Sequence, residues 1–395
     1  MRFTLADVAY LSSAAGAAAL TDVGGCALTD ATRLADVAAV RDRYGDRAGV
    51  LIETTLLRRR AVVKLAGLAD APGAPGWLFT DDALQQATAA VVAGHRARRL
   101  AGVAVHDATC SVGTELAALL PTARDLLGSD IDAVRLAMAR HNLGGRVPLC
   151  RADALRPVSR DCVVLLDPAR RAGGRRRFDP RSYLPPLDEL LEVYRGRDAV
   201  VKCAPGIDFD AVRRLGFDGE IEVTSAAGSV REACLWPASL AQPRVRRRAT
   251  VLTGGVGGEQ TLTDLDPQDC VVGAPGRWIL DPDGAVVRAG LVRQYAARHG
   301  LWQLDPDIAY LTGDILPDGV RGFEVIEELP LREDVLRQWL SRYDCGSLEI
   351  LVRGVDVDPD DLRRRLRPAG SHPLTLVVTR IGRAAKARAV VFVCR

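Results

Sequence analysis

The chain has 395 residues, 48% hydrophobic and 26% charged, enough apolar material to bury two or three domain cores. That composition excludes a mostly disordered protein. The 53 basic and 50 acidic residues leave a net charge of +3, so binding to a polyanion must rest on local clusters rather than on the overall field. The 37 glycines follow no three-residue period and the 21 prolines are scattered, which excludes collagen-like and coiled-coil chains. Nine cysteines without a C-x-x-C pair, and five histidines that do not cluster with them, argue against a disulfide scaffold and against a metal site. Free thiols point to a cytoplasmic location. The longest uncharged N-terminal run, Val8–Thr21, is too short and too rich in Ala and Gly to span a membrane, and no basic segment leads it as in a signal peptide.

Residues 1–100 read as helical, with Leu and Val at helical spacing on Ala-rich stretches. The last of these helices is expected over Asp81–Arg99, with Asp81 as its N-cap, ending in the basic run His95–Arg99. From 101 to 240 the texture changes. Short apolar runs at Gly102–His106, Leu126–Ser129, Val147–Arg151, Cys162–Leu166 and Ala199–Cys203 alternate with helical segments such as Thr114–Leu120 and Ala133–Asn142. This alternation predicts a parallel sheet covered by helices. Glu220–Ser225 and Arg231–Trp236, joined by a short turn, read as an antiparallel pair. Residues 241–321 form a connecting region with one strand, Arg244–Leu252, and a helix within Gly284–His299. Residues 322–395 alternate strands and helices as a small α+β domain, a sheet with two helices on one face.

Chemistry concentrates at the ends of the parallel strands. His106–Thr114 closes the first strand and opens a helix, with small residues at 108–111 and Gly113 where the backbone must approach a ligand. It lacks the G-x-G-x-x-G of dinucleotide sites, which argues against a nicotinamide-dependent oxidoreductase. Asp107, Asp130, Asp153 and Asp167 end four successive strands, so four carboxylates are expected at one sheet edge, where open α/β sheets bind ligands. Each alone reads as a cap or a solvated loop residue; four in register point to a site. Lys202 is one of three lysines, with Lys64 and Lys386, and sits near the same edge. It is expected to pair with Asp167, to contact substrate, or to extend its ammonium to solvent from a strand end. Glu232 is expected as its buried partner or as a hairpin surface charge, and Gln86 and Thr88 as caps over the site or as helix-surface residues.

These residues resemble the class I S-adenosylmethionine-dependent methyltransferases. Asp107–Gly113 is similar to their first motif, with Thr109 and Ser111 standing where two glycines are usual. More narrowly, Leu84–Thr88, Asp167–Arg171, Phe178–Pro180, Val201–Asp208, Glu232–Trp236, Leu304–Thr312 and Arg353-Gly354 resemble a bacterial methyltransferase family that carries a THUMP-like domain at its C-terminus. The resemblance runs nearly end to end. It implies a Rossmann-like sheet preceded by an N-terminal helical domain and followed by the small α+β domain. It implies S-adenosylmethionine as cofactor, held by Asp107, Thr109, Cys110, Ser111, Gly113, Asp130, Ile131, Asp153 and Ala154. It places Asp167, Pro168, Arg170 and Lys202 at the catalytic end.

The resemblance also implies an acceptor in RNA, a tRNA or rRNA base. Phosphate contacts are expected from Arg170, Arg171, Arg175, Arg176 and Arg177, or else these form a solvated loop, and RNA capture is expected from the arginines of the C-terminal domain. Asp167-Pro-Ala-Arg170 lacks the aromatic residue that stacks on amine substrates. It is similar to the D-P-P-R of RNA uracil-C5 methyltransferases, which use a nucleophilic cysteine. Cys203 is that cysteine or a small buried residue. The alternative to an enzyme is a non-catalytic RNA-binding or assembly protein on a degenerate methyltransferase fold.

Overall fold

A computed structural model describes residues 2–65, 76–169, 171–172, 175–176, 180–253, 258–383 and 387–395. The chain forms two compact units, Met1–Pro243 with Leu252–Gly258, and Arg244–Val251 with Glu259–Arg395. The first unit begins with helices α1 (Leu5–Leu11), α2 (Ala14–Gly24), α3 (Arg33–Tyr44) and α4 (Ala48–Lys64). Its sheet contains β1 (Ala104–Asp107), β2 (Asp125–Asp130), β3 (Leu149–Arg151), β4 (Val163–Leu166), β5 (Ala199–Cys203), β6 (Glu220–Ala226) and β7 (Ser229–Trp236). The strands lie in the order β6–β7–β5–β4–β1–β2–β3. Strands β1 to β5 pair in parallel, while β7 runs antiparallel to both β5 and β6. The sequence gives the reason: a two-residue turn, Ala227-Gly228, both at positive φ, joins β6 to β7 and forces reversal.

The N-terminal helices and the sheet share one hydrophobic core, in which Leu11, Leu51 and Leu78 join Leu116, Leu165 and Trp236. Asn142, at the end of α8 (Ala133–Asn142), fastens the two parts. Its amide donates to the carbonyls of Leu78 and Val112 and accepts from the Leu78 N–H, all within 2.9 Å.

The expected helix 81–99 is two helices, α5 (Asp81–Gln86) and α6 (Ala90–Arg99), and the N-cap is Thr80 rather than Asp81. Neither Gly nor Pro marks the break. Ala87 and Ala89 are extended, and the interruption is stabilised from outside the helix by two lysines. Lys64 Nζ donates to the carbonyls of Leu84 and Gln85 at 2.7 Å, satisfying the orphan acceptors at the end of α5, and Lys202 Nζ donates to Thr88 Oγ1.

The basic run on α6 faces the hairpin. Arg99 Nη1 donates to Glu220 and Glu222 at 2.7 Å and stacks over Trp236 at 3.8 Å. His95 Nε2 and Trp236 Nε1 lie 2.8 Å from the two oxygens of Glu222. Arg96 makes a bidentate pair with Glu232 at 2.6 and 3.1 Å. These charges hold α6 on the sheet rather than facing solvent.

In the second unit, α9 (Glu333–Arg342) and α10 (Pro359–Leu366) cover one face of a seven-stranded sheet, through Leu336, Trp339, Leu362 and Leu366 against Leu348, Leu376 and Val391. The alternate residues Val377 and Phe392 face the other way, onto Ile279, Ile308 and Tyr310. This is the α+β arrangement expected for 322–395. The sheet is extended by Trp278–Leu280, Trp302–Gln303 and Leu311–Gly313, strands too short for period-two alternation to reveal.

Truncating Glu222 to Ala leaves Arg99 short of one acceptor and Trp236 without its partner, inside a buried cluster. The expected loss is about 3 kcal/mol or more, a fall in Tm of roughly 6–12 °C in thermal denaturation. A loss within about 1 kcal/mol would show that α6 is held by packing alone.

Candidate active site

The carboxyl ends of the parallel strands open into a cavity of about 450 Å³, within the range of small-molecule sites. Asp107, Thr109, Cys110, Ser111, Asp130, Ile131, Asp153, Ala154, Asp167 and Lys202 all line it. Gly113 stands behind the wall: its φ is +87°, and a Cβ there would meet Leu143 Cδ1 at 3.0 Å. Pro168 is buried and does not line the cavity. Arg170 and Arg177 lie outside the described residues, as does Lys386, and Arg171, Arg175 and Arg176 are described only as backbone in a two-stranded hairpin.

The turn after β1 is tied to its neighbours by the residues that replace the usual glycines. Thr109 Oγ1 accepts the Asp167 N–H at 2.7 Å, joining the turn to the tip of β4. Ser111 adopts φ +51°, a left-handed conformation that costs about 1–2 kcal/mol in a non-glycine residue. Its N–H donates to Asp130 Oδ2 at 2.9 Å, and the Asp132 N–H donates to Asp130 Oδ1 at 2.8 Å. Both oxygens of Asp130 are thereby oriented, each retaining a lone pair for a further donor. Burial raises its pKa against those two N–H groups. Asp153 Oδ1 accepts the Leu155 N–H at 2.9 Å, and half-exposed Leu155 and exposed Ile131 provide apolar surface beside it.

The other end of the cavity holds a buried charge cluster. Lys202 Nζ lies 2.5 Å from Asp167 Oδ2, 2.5 Å from Thr88 Oγ1 and 3.6 Å from Glu115 Oε2. Burial disfavours its charge, but the carboxylates of Asp167 and Glu115 outweigh that penalty and hold the ammonium above its ordinary range. Arg96 links Glu115 and Glu232 from behind, 3.2 Å from the former. Glu232 is therefore a buried partner of Arg96 first. Neither oxygen of Glu115 accepts a hydrogen bond, although its side chain is only 7% exposed and lines the cavity. Sequence reasoning missed Glu115, because an acid in the first turn of α7 (Thr114–Leu119) reads as a complement to the helix dipole. It also missed Leu184-Pro185-Pro186, a wall segment held by reciprocal backbone hydrogen bonds between Ala169 and Leu184.

Three other side chains are placed differently. His106 is buried between Ser129 and Ser159, each 2.8 Å away, and burial pushes its pKa down to about 4. Cys203 is fully buried and does not line the cavity. Cys110 does line it, but burial raises its thiol pKa far above the ordinary value, so it offers no thiolate.

The cavity lining contains five acids, Asp107, Glu115, Asp130, Asp153 and Asp167, against Arg135 and Lys202. Even with Asp107 protonated, four carboxylates face two cations in the lining, an acidic excess that suits a cationic ligand. Sheet order, the antiparallel strand β7 and a crevice across the acidic strand tips define the class I methyltransferase fold.

Comparison with known proteins agrees. Residues 320–395 match the family described as THUMP domain-like. The chain is 64% identical over 359 residues to a protein found in two Mycobacterium tuberculosis strains and described as an uncharacterized S-adenosylmethionine-dependent methyltransferase; the match spans 90% of this chain and 99% of the relative. A crystal structure from Porphyromonas gingivalis W83, provisionally described as a methyltransferase, shares the fold with a TM-score of 0.76 at 19% identity, covering 100% of this chain and 99% of the other. The chain belongs to the S-adenosylmethionine-dependent methyltransferases, and S-adenosylmethionine is its cofactor.

Asp107 is 3% exposed, and burial, with Glu115 nearby, raises its pKa to about 8. The unfolded chain loses this proton near pH 4. Between those values the fold retains a proton that the unfolded chain has released, so this contribution to stability falls as pH rises from 4 to 8 and then levels off. Asp107→Asn cannot ionise. It is expected to be more stable than wild type at pH 8, by up to about 5 kcal/mol, with the difference vanishing near pH 4. Equal stabilities at both pH values in urea titrations would show that Asp107 is not forced to bury its charge.

Proposed function

We propose that the protein transfers a methyl group from S-adenosylmethionine to RNA, with the strand-tip residues dividing the work. Asp130 receives the ribose hydroxyls, with Asp153 and Ala154 beside the adenine and Ile131 and Leu155 packing on it. Asp107 and Glu115 face the cationic methionyl end, and the turn Thr109–Gly113 lets the backbone approach. The cofactor supplies an activated methyl on a sulfonium, so the protein's part is to align the acceptor and exclude water. Asp167 and Lys202 lie where the acceptor enters.

The observation that carries the reading is the single cavity into which the strand tips bring Asp107, Asp130, Asp153 and Asp167 together with Lys202. The RNA assignment draws support from the THUMP-like match at 320–395 and from that unit's arginines. Arg337, Arg364, Arg365 and Arg367 line a shallow groove with Glu333 and Asp361. Arg353, Arg383 and Arg388 pair with Asp281, Asp307 and Glu328 at 2.6–2.7 Å. Surface pairs of this kind are worth about 0–1 kcal/mol, so guanidinium groups can exchange carboxylate for phosphate. The free cysteines fit a reducing cytoplasm.

Calorimetry is expected to show S-adenosylmethionine binding with Kd on the order of 1–100 µM. Asp130→Ala should weaken it at least about 100-fold by removing two charge-assisted hydrogen bonds. Label from the methyl group should appear in RNA. Absence of binding would overturn the reading, and binding without transfer to any RNA would favour the non-catalytic alternative.

A further inference from the structure

We propose that the acceptor atom is a hydroxyl oxygen, a ribose hydroxyl of the RNA, and that Lys202 is the residue that stabilises it as it loses its proton. The inference rests on the RNA reading above and departs from the base acceptor expected from the sequence. Three observations carry it, and they concern which charge the acceptor end of the cavity tolerates.

The first is the cation. Lys202 is 5% exposed, lines the cavity and has its ammonium held 2.5 Å from both Asp167 and Thr88 by hydrogen bonds. Arg96 stands behind it, 1% exposed, joined to it through Glu115 and itself paired with Glu232. An amine acceptor develops positive charge on nitrogen as the new bond forms and draws no stabilisation from an adjacent fixed ammonium. A hydroxyl acceptor develops negative charge on oxygen as its proton leaves, which the same ammonium stabilises in a site of low dielectric.

The second is the lining itself. Among the described residues around the cavity there is no Phe, Tyr or Trp. A base extruded from a strand is ordinarily held by stacking on such side chains. The described wall beside Asp167 is Ala169 with Leu184, Pro185 and Pro186, which supplies aliphatic contact area.

The third concerns carbon acceptors. Methylation of a pyrimidine carbon requires a nucleophile to activate the ring. Cys203 is sealed from the cavity, and Cys110 is a buried thiol held by a hydrogen bond to the Ser111 carbonyl.

The step balances without any further reagent. A lone pair of the hydroxyl oxygen forms the C–O bond to the methyl carbon as the C–S bond breaks, its electron pair remaining on sulfur. The hydroxyl proton passes to the carboxylate of Asp167, whose side chain is 28% exposed, and from there to water. Lys202 keeps its proton throughout and, with Thr88, fixes the Asp167 carboxylate in place.

The test uses the full-length protein, labelled S-adenosylmethionine and total RNA from cells lacking the protein, followed by alkaline hydrolysis. A 2′-O-methyl group blocks cleavage, so label is expected in alkali-resistant dinucleotides. Label in base-modified mononucleotides would overturn the hydroxyl assignment while leaving the RNA reading intact; label in no RNA at all would overturn both. Lys202→Met is expected to lower transfer by about 100-fold or more, while its S-adenosylmethionine affinity by calorimetry stays within about threefold of wild type. Lys202→Arg should recover part of the rate. Because the wild-type product alone fixes the acceptor atom, the inference stays testable even if Lys202→Met does not fold.

Discussion

The structure depends on how one buried set of charges is balanced. Arg96 and Lys202 stand against Glu115 and Glu232 inside a core that hydrophobic packing alone would seal, and against Asp167 at its mouth. Isolated, each of these ions would be prohibitively costly to bury. Together they fix three things: α6 against the β6–β7 hairpin, α7 against β5, and the tip of β4 at the cavity. The arrangement stabilises the fold and shapes the site at once.

The same balance explains how the two ends of the cavity differ. Toward β2 and β3 the acids are oriented by backbone N–H groups, and apolar side chains lie beside them, a pattern suited to hydroxyls and a flat ring. Toward β4 and β5 the acids are oriented by cations instead. Asp167 is positioned by Lys202 and, through its own N–H, by the hydroxyl of Thr109. One crevice thus presents hydrogen-bond acceptors at one end and a poised ion pair at the other, and the proposed division into cofactor and acceptor subsites follows from that contrast.

The parallel sheet, its four terminal aspartates and the antiparallel closing hairpin were all readable from the sequence, because strand–helix alternation and a two-residue turn are local signals. The break between α5 and α6 was not readable, because 87–89 contains neither Gly nor Pro; lysines distant in the chain stabilise the interruption. Glu115 was missed for the same reason, its meaning residing in partners on other elements. Thr109 and Ser111 looked like departures from a glycine pattern, yet the side chain of Thr109 and the main chain of Ser111 make the hydrogen bonds that hold the turn to β4 and β2. Local pattern revealed where the strands end, whereas only the folded structure reveals which charges meet there.

The most direct test of the account is a crystal structure of the protein bound to S-adenosylhomocysteine. The ribose is expected against Asp130, the adenine between Ile131 and Asp153-Ala154, and the sulfur turned toward Asp167 and Lys202. A ligand seated elsewhere, or one whose sulfur faces away from the Asp167–Lys202 pair, would contradict it.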